Sequence, residues 1–336
     1  MADVVTGTRD SRGHWQPAEP HAGTPPPIWA WPPQPIKTLR FLFGYPGYLW
    51  PWNAITAAIV VVTWFYTQPE LSRMAEFKFD WIAQIYVRNL ALMLLFFGGF
   101  HVWLYTFRGQ GTEHKYHPKW LGGKNSRFLG GTQLRENVFW SIASGCTVWT
   151  AYEVLMMWAY ANGMLSYVDW ETSPVYATLL LLFPMAWHII HFYFGHRLLH
   201  WKPLYRAAHH LHHKNVNVGP WSGLSMHPIE HVIYFSLVLV YWIVPSHPIH
   251  VLFTLQFAAL IPAVGHAGFN EFGKGKATLP GEFFHYLHHR YFECNYGAAL
   301  VPLDRWFGTF HDGTPEAHAH MKKRWEAGFQ SENETS

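Results

Sequence analysis

The sequence predicts an all-α integral-membrane bundle of about four spanning helices plus a helical hairpin, covered on one face by a histidine-rich helical cap. Three observations carry that prediction. Of the 336 residues, 50% are hydrophobic and 18% aromatic, while only 13% are charged, against roughly 25% in ordinary soluble domains. The apolar residues gather in runs approaching the ~20 residues that cross a bilayer core. Sixteen of the 24 histidines fall between His188 and His289. Mean hydropathy is only −0.03 because these histidines and a polar amino-terminal segment dilute the apolar runs.

Residues 1–48 carry eight prolines between Pro17 and Pro35 and no apolar signal-peptide core, so they read as an irregular tail that stays on the side where it was made. The run 53–66 is short and spans with help from the flanking aromatics Trp50, Trp52, Trp64 and Tyr66. Residues 89–107, 19 positions without a charge, form the clearest span. A second long span covers 137–162, interrupted only by Glu153, and a third covers 174–194, with Pro184 as a kink. Two apolar runs between His231 and Val264, joined at Pro245–Pro248, read as a hairpin whose ends emerge on one face.

The loop 108–136 holds Arg108, Lys115, Lys119, Lys124, Arg127 and Arg135, whereas 163–173 has Asp169 and Glu171 and no Lys or Arg. Positive charge favours the cytoplasm, so His196 and the residues after it, together with 265–336, are expected on the cytoplasmic face of a multi-pass protein. The expected division is a tail at 1–48, membrane helices and a basic loop at 49–136, a histidine-rich catalytic domain at 137–311 and a polar tail at 312–336.

A net charge of +3 without a Lys/Arg block excludes nucleic-acid binding. The two cysteines, Cys146 and Cys294, support neither a thiolate metal site nor a disulfide framework. Metal chemistry must therefore be histidine chemistry. On helices, His196 and His200 share a face, as do His209, His212 and His213, and again His285, His288 and His289. Eight convergent nitrogens exceed what one ion takes and suggest two metals sharing a pocket. Such a set would leave a high positive charge that attracts anionic oxygen species, which fits dioxygen activation by iron. His210 faces away from this set. His101 and His250 read as satisfied core histidines, and His14, His21, His311, His318 and His320 as surface. Glu153 is either paired or lines a cavity.

The boxes HRLLH (196–200), HHLHH (209–213) and HYLHH (285–289) occur in order with HPIE (227–230), HAG (266–268), NYG (295–297) and LDRWFGTFH (303–311). Over 137–311 the chain thereby resembles the fatty acid hydroxylase and sterol desaturase superfamily of integral-membrane non-haem di-iron enzymes, its sterol desaturase branch most. The resemblance implies two iron ions, dioxygen as co-substrate, and ligation by His196, His200, His209, His212, His213, His266, His285, His288 and His289. His227 and His231 are further candidates. Ile189 stands where many relatives carry Asp, and either neighbour, His188 or His191, could take that place as ligand or as support.

The activity so implied is hydroxylation or desaturation of an unactivated C–H bond of a membrane lipid. A sterol or sterol-like lipid is favoured over fatty acyl, carotenoid or alkyl ether lipids. Electrons would come from NAD(P)H through a separate redox protein, since GKGKATLPG (273–281) lacks the glycines of a dinucleotide fingerprint. Lys202, Arg206, Lys214, Lys274 and Lys276 could dock a ferredoxin-like or b-type cytochrome donor, or equally lipid headgroups. Glu230, Glu282, Glu293 and Asp304 are candidates to hold ligand N–H groups, with no spacing rule to choose among them. A membrane haem electron-transfer protein would pair isolated histidines across spans, and a divalent-metal transporter would string carboxylates and histidines along a path. The bunching on one side argues against both.

Overall fold

The computed structural model describes residues 7–17, 25–273, 279–280 and 282–334. Fifteen helices succeed one another in these residues: α1 (Pro35–Phe43), α2 (Trp52–Val62), α3 (Phe79–His101), α4 (Gln133–Trp140), α5 (Thr147–Ala161), α6 (Pro174–Leu180), α7 (Phe183–Leu199) and α8 (Lys202–Leu204), then α9 (His210–His213), α10 (Pro228–Phe235), α11 (Pro248–Leu260), α12 (Pro262–Gly265), α13 (Phe283–Tyr291), α14 (Leu303–Trp306) and α15 (Pro315–Glu334). The strands are β1 (Gly7–Arg9) with β2 (Trp15–Pro17), and β3 (Glu271–Phe272) with β4 (Leu279–Pro280), each pair antiparallel.

Among the described residues, three helices are long and apolar enough to cross a membrane: Phe79–Thr106, Pro174–Leu199 and Pro248–Gly265. The run expected at 137–162 lies in the continuous helical stretch formed by α4, a wide turn at Ser141–Cys146 and α5. It is not among the three, Glu153 and the interspersed serines, threonines and tryptophans keeping it less apolar than they are. The hairpin is present as Pro228–Trp242 and Pro248–Gly265, and 83% of the second arm is buried inside the protein. That arm is apolar all round, as a helix enclosed by other helices should be. Its neighbours α2, α3, α5 and α10 complete the main core, which includes Trp81, Trp149, Phe235 and Leu255.

The irregular amino-terminal tail expected from its prolines is corrected in part by the structure. Asp10 Oδ1 accepts from the backbone N–H of Arg12 and His14, both at 2.9 Å, and Gly13 takes φ +80°, closing a hairpin between β1 and β2. Trp15 is buried beside His114 and Tyr116. Asp10 also pairs with Arg290 at 2.6 Å, tying this hairpin to α13. Two histidines assigned to the surface are likewise engaged. His14 hydrogen bonds Tyr286 Oη at 2.5 Å, and His311 is wholly buried against Tyr291. His318 and His320 are exposed, and His21 lies outside the described residues. His250 is a satisfied core residue, bonded to Ala177 and His247, whereas the half-buried His101 leaves Nδ1 without a partner.

Candidate metal centre

Four chain segments bring the histidines together. The last turn of α7 presents His196, with His200 as its C-cap. A wide turn at Tyr205–His209 runs into α9 and sets His209, His212 and His213 on adjoining faces. His266 comes directly after α12, and α13 supplies His285, His288 and His289. The nitrogens form two groups, each with its donor atoms within 4.8 Å of one another: His196, His200, His209, His213 and His288, then His212, His266, His285 and His289. These are the nine residues named from the sequence. The i, i+4 pairs stay together, His209 with His213 and His285 with His289, while the i+3 members cross to the other group.

The hydrogen bonds of the far nitrogens determine what the near ones offer. His196 Nδ1 donates to Tyr296 O at 2.8 Å, His209 Nδ1 to Glu230 Oε1 at 2.7 Å, His266 Nδ1 to Pro262 O at 2.9 Å and His288 Nδ1 to Cys294 O at 2.6 Å. A neutral imidazole with its proton on Nδ1 has only a lone pair on Nε2. Yet the Nε2 atoms of His196 and His209 stand 3.1 Å apart. His266 Nε2 faces those of His285, His289 and His212 at 3.0, 3.0 and 3.3 Å. The lone pairs of His196 and His209 so placed repel unless a cation lies between them, and the single lone pair of His266 is approached by three further ring nitrogens. Two nitrogens bound at right angles to one ion at ~2.1 Å are about 3.0 Å apart, so the donor set fits a metal in each group.

Burial, and after it the mutual repulsion of neighbouring imidazoles, pushes His209, His212, His213, His285, His288 and His289 well below the usual histidine range. Burial brings His266 down to about 4. All seven are therefore neutral imidazoles at physiological pH.

The second tier of motifs holds this set in place. Asp304 accepts from the N–H of Tyr296 and of Gly297, both at 2.8 Å, and from Thr309 Oγ1 at 2.6 Å. It thereby fixes the loop whose Tyr296 carbonyl orients His196. A Cβ at Gly297 would meet Asp304 Oδ2 at 3.1 Å and Tyr193 at 3.2 Å, which accounts for a glycine there. Asn295, at φ +55°, stitches Phe284 to His311 through its side chain. Of the four carboxylates, Glu230 alone makes a short contact to a grouped histidine; Glu293 lies 3.7 Å from His200 Nδ1.

The remaining candidates fall outside both groups. His231 spends both nitrogens, accepting from Ser144 Oγ at 2.9 Å and donating to Leu224 O at 3.2 Å. His227 caps α10 by accepting from Ile229 N. His191 Nε2 meets Ser236 Oγ at 3.0 Å, and His188 packs between Phe192, Tyr234 and Phe257. His210 is exposed, as its helical position requires.

A cavity of about 810 Å³, counting its open mouth, lies against both groups. Its wall includes His196, His209, His212, His266 and His285, the ungrouped His188 and His191, the carboxylate of Glu230, and apolar groups such as Leu199, Met226, Ile233 and Ile261. A predominantly apolar wall beside a few polar groups is what an apolar ligand needs. Glu282 also lines it, and burial pushes this carboxyl up to about 7.

Residues 180–309 match the profile of the fatty acid hydroxylase family. The Delta(7)-sterol-C5(6)-desaturase of Nicotiana tabacum is 30% identical over 168 residues, covering 47% of this chain and 58% of that protein. The Delta(7)-sterol 5(6)-desaturase of Saccharomyces cerevisiae is 31% identical over 119 residues, covering 35% and 32%. That of Gibberella zeae is 33% identical over 124 residues, covering 35% and 34%. The chain thus spans between about a third and three-fifths of the length of these relatives. No solved structure matches the chain.

Proposed function

We propose that this chain, whose residues 180–309 match the fatty acid hydroxylase family and which resembles sterol desaturases over its histidine-rich region, is a membrane-bound, dioxygen-dependent oxidoreductase that hydroxylates or desaturates a sterol or sterol-like lipid. The catalytic unit is residues 137–311, in a multi-pass protein whose histidine cap faces the cytoplasm. The observation that carries this reading is a largely apolar cavity that reaches five of nine histidines whose donor nitrogens converge in two groups.

The five-histidine and four-histidine groups would each hold one iron, which when bound supplies the redox chemistry that activates dioxygen and attacks C–H. The protein's own part is positional. Four Nδ1–H groups anchored on carbonyls and on Glu230 aim their Nε2 lone pairs inward and keep them unprotonated. The apolar wall admits lipid and excludes bulk water, so the reacting carbon meets the centre rather than solvent. Glu282, with its carboxyl near 7, holds a proton it can pass into the cavity as dioxygen is reduced to water.

Purified protein is expected to contain two irons per chain, to show no Soret band, and to consume dioxygen with a reductant and lipid. A Soret band, or zinc without oxygen consumption, would defeat the reading. Comparing lipids of cells with and without the protein identifies the substrate, and a sterol change is the expected result. Glu230 provides a finer test. Glu230→Gln weakens its hold on His209 and is expected to lower iron affinity or turnover about 10–100-fold, with Glu230→Asp intermediate. Equal loss in both variants would indicate a purely structural role.

A further inference from the structure

The cavity is lined by five of the nine grouped histidines and leaves out His200, His213, His288 and His289. A second depression, sharing no lining residue with the cavity, is bounded by the end of α7, by α8, by the end of α13 and by α15. It extends beyond the matched family segment, because α15 begins at Pro315. Its floor is His200 of the five-histidine group, whose side chain retains 4% exposure. Two further lining rings press on that group: Tyr205 has its ring centre 5.6 Å from that of His200, and Phe292 lies 4.8 Å from His213.

The rim is cationic. Lys202, Arg290, Lys322 and Arg324 line it against a single carboxylate, Glu293. Arg290 is compensated by Asp10, and Arg324 is held by the carbonyls of Gly308 and Glu293. Lys322 remains 65% exposed, its contact to Glu326 at 3.9 Å being a surface pair of little energy. Trp325, 57% exposed, adds an aromatic of the kind that anchors protein interfaces. The basic residues proposed from the sequence are redistributed by the structure. Lys202 is at this rim, Lys214 is turned inward onto Glu136 at 2.6 Å, and Lys274 and Lys276 lie outside the described residues.

We propose that this groove is the docking site of an acidic one-electron carrier protein, which passes electrons through the His200 and His213 edge while lipid occupies the cavity. The inference rests on the oxidoreductase reading and derives from its balance. Desaturation converts CH–CH, dioxygen, two electrons and two protons into C=C and two waters. Hydroxylation converts C–H, dioxygen, two electrons and two protons into C–OH and one water. In either case two electrons come from outside, and single-electron carriers must visit twice. A shared entry would force donor and lipid to compete, and separate faces remove that conflict. Cationic rims steer acidic partners and make their association salt-dependent.

The test titrates the iron-loaded, detergent-solubilised protein with an oxidised [2Fe–2S] ferredoxin of acidic surface, and measures turnover with either reduced ferredoxin or dithionite. Lys202→Glu with Lys322→Glu is expected to weaken ferredoxin binding on the order of tenfold at low salt, to abolish most of the salt dependence, and to leave iron content and dithionite-driven turnover unchanged. Lys322→Glu alone, on α15 and belonging to neither histidine group, should shift binding in the same direction. Equal ferredoxin affinity in variant and wild type overturns the proposal. So does a parallel loss of dithionite-driven turnover, or an unchanged ferredoxin affinity alongside lost binding to phosphatidylserine vesicles. Absence of lipid oxidation with any reductant would defeat the enzymatic reading instead, and the binding isotherms would still report on the groove.

Discussion

Replacing His288 with alanine is expected to reduce iron from the proposed two per chain to one or fewer and to lower turnover by more than the roughly 10–100-fold typical of losing a ligand's supporting partner. His288 is wholly buried at the middle of the five-histidine group: its Nε2 is 3.1 Å from that of His213, and its ring centre is 4.3 Å from that of His196. Alanine removes one of five donors, opens a void where the ring stood, and orphans the Cys294 carbonyl that accepted from Nδ1. The control is His210→Ala. His210 is adjacent in sequence to a grouped histidine but exposed, so this variant should retain both irons and full turnover. Metal analysis and oxygen uptake on the two variants check the prediction. Two irons and normal turnover in His288→Ala would remove that residue from the centre.

That contrast shows what the sequence could and could not convey. Helical spacing alone separates His209, His212 and His213 from His210, because 3.6 residues per turn leaves one member of the run on the outside. Spacing cannot say that His212 joins a different group from His209 and His213, since that depends on where α13 and His266 approach from. Glu230 was one of four equivalent carboxylates until the fold placed it 2.7 Å from His209. The role of Asp304 was further from sight. It acts through two backbone amides of the NYG loop, and backbone hydrogen bonding carries no side-chain signature. The amino-terminal hairpin did leave a signal, an Asp and a Gly three positions apart at Asp10 and Gly13, but the proline-rich run that follows it from Pro17 obscured it. The docking groove was illegible for a different reason. Its cations come from Lys202 and from α15, more than a hundred residues apart, and nothing local links them.

Glu153→Leu is expected to destabilise the protein by ~3–5 kcal/mol, the usual cost of leaving one member of a buried ion pair without its partner. Reading the clear span as 89–107 placed Arg88 outside the membrane segment. The helix instead starts at Phe79, so Arg88 lies within it and reaches Glu153 on α5 at 2.5 Å. This resolves the two alternatives for Glu153 in favour of pairing. The pair is also well furnished: Arg88 donates to Gln68 at 2.6 Å and to Asn89, and Asn89 donates to Glu153 at 3.1 Å and to Thr150 at 3.2 Å. With Glu153 side-chain exposure at 0% and that of Arg88 at 8%, neither charge has water to fall back on. Arg88→Met should therefore be about as damaging as Glu153→Leu, whereas the double variant should recover most of the loss, because removing both charges also removes their desolvation cost. Thermal unfolding in one fixed detergent measures the three variants, and iron content serves as the internal control because none of these residues belongs to the histidine groups. A double variant no better than the worse single one would show that the polar network packs α3 on α5 in a way apolar side chains cannot replace.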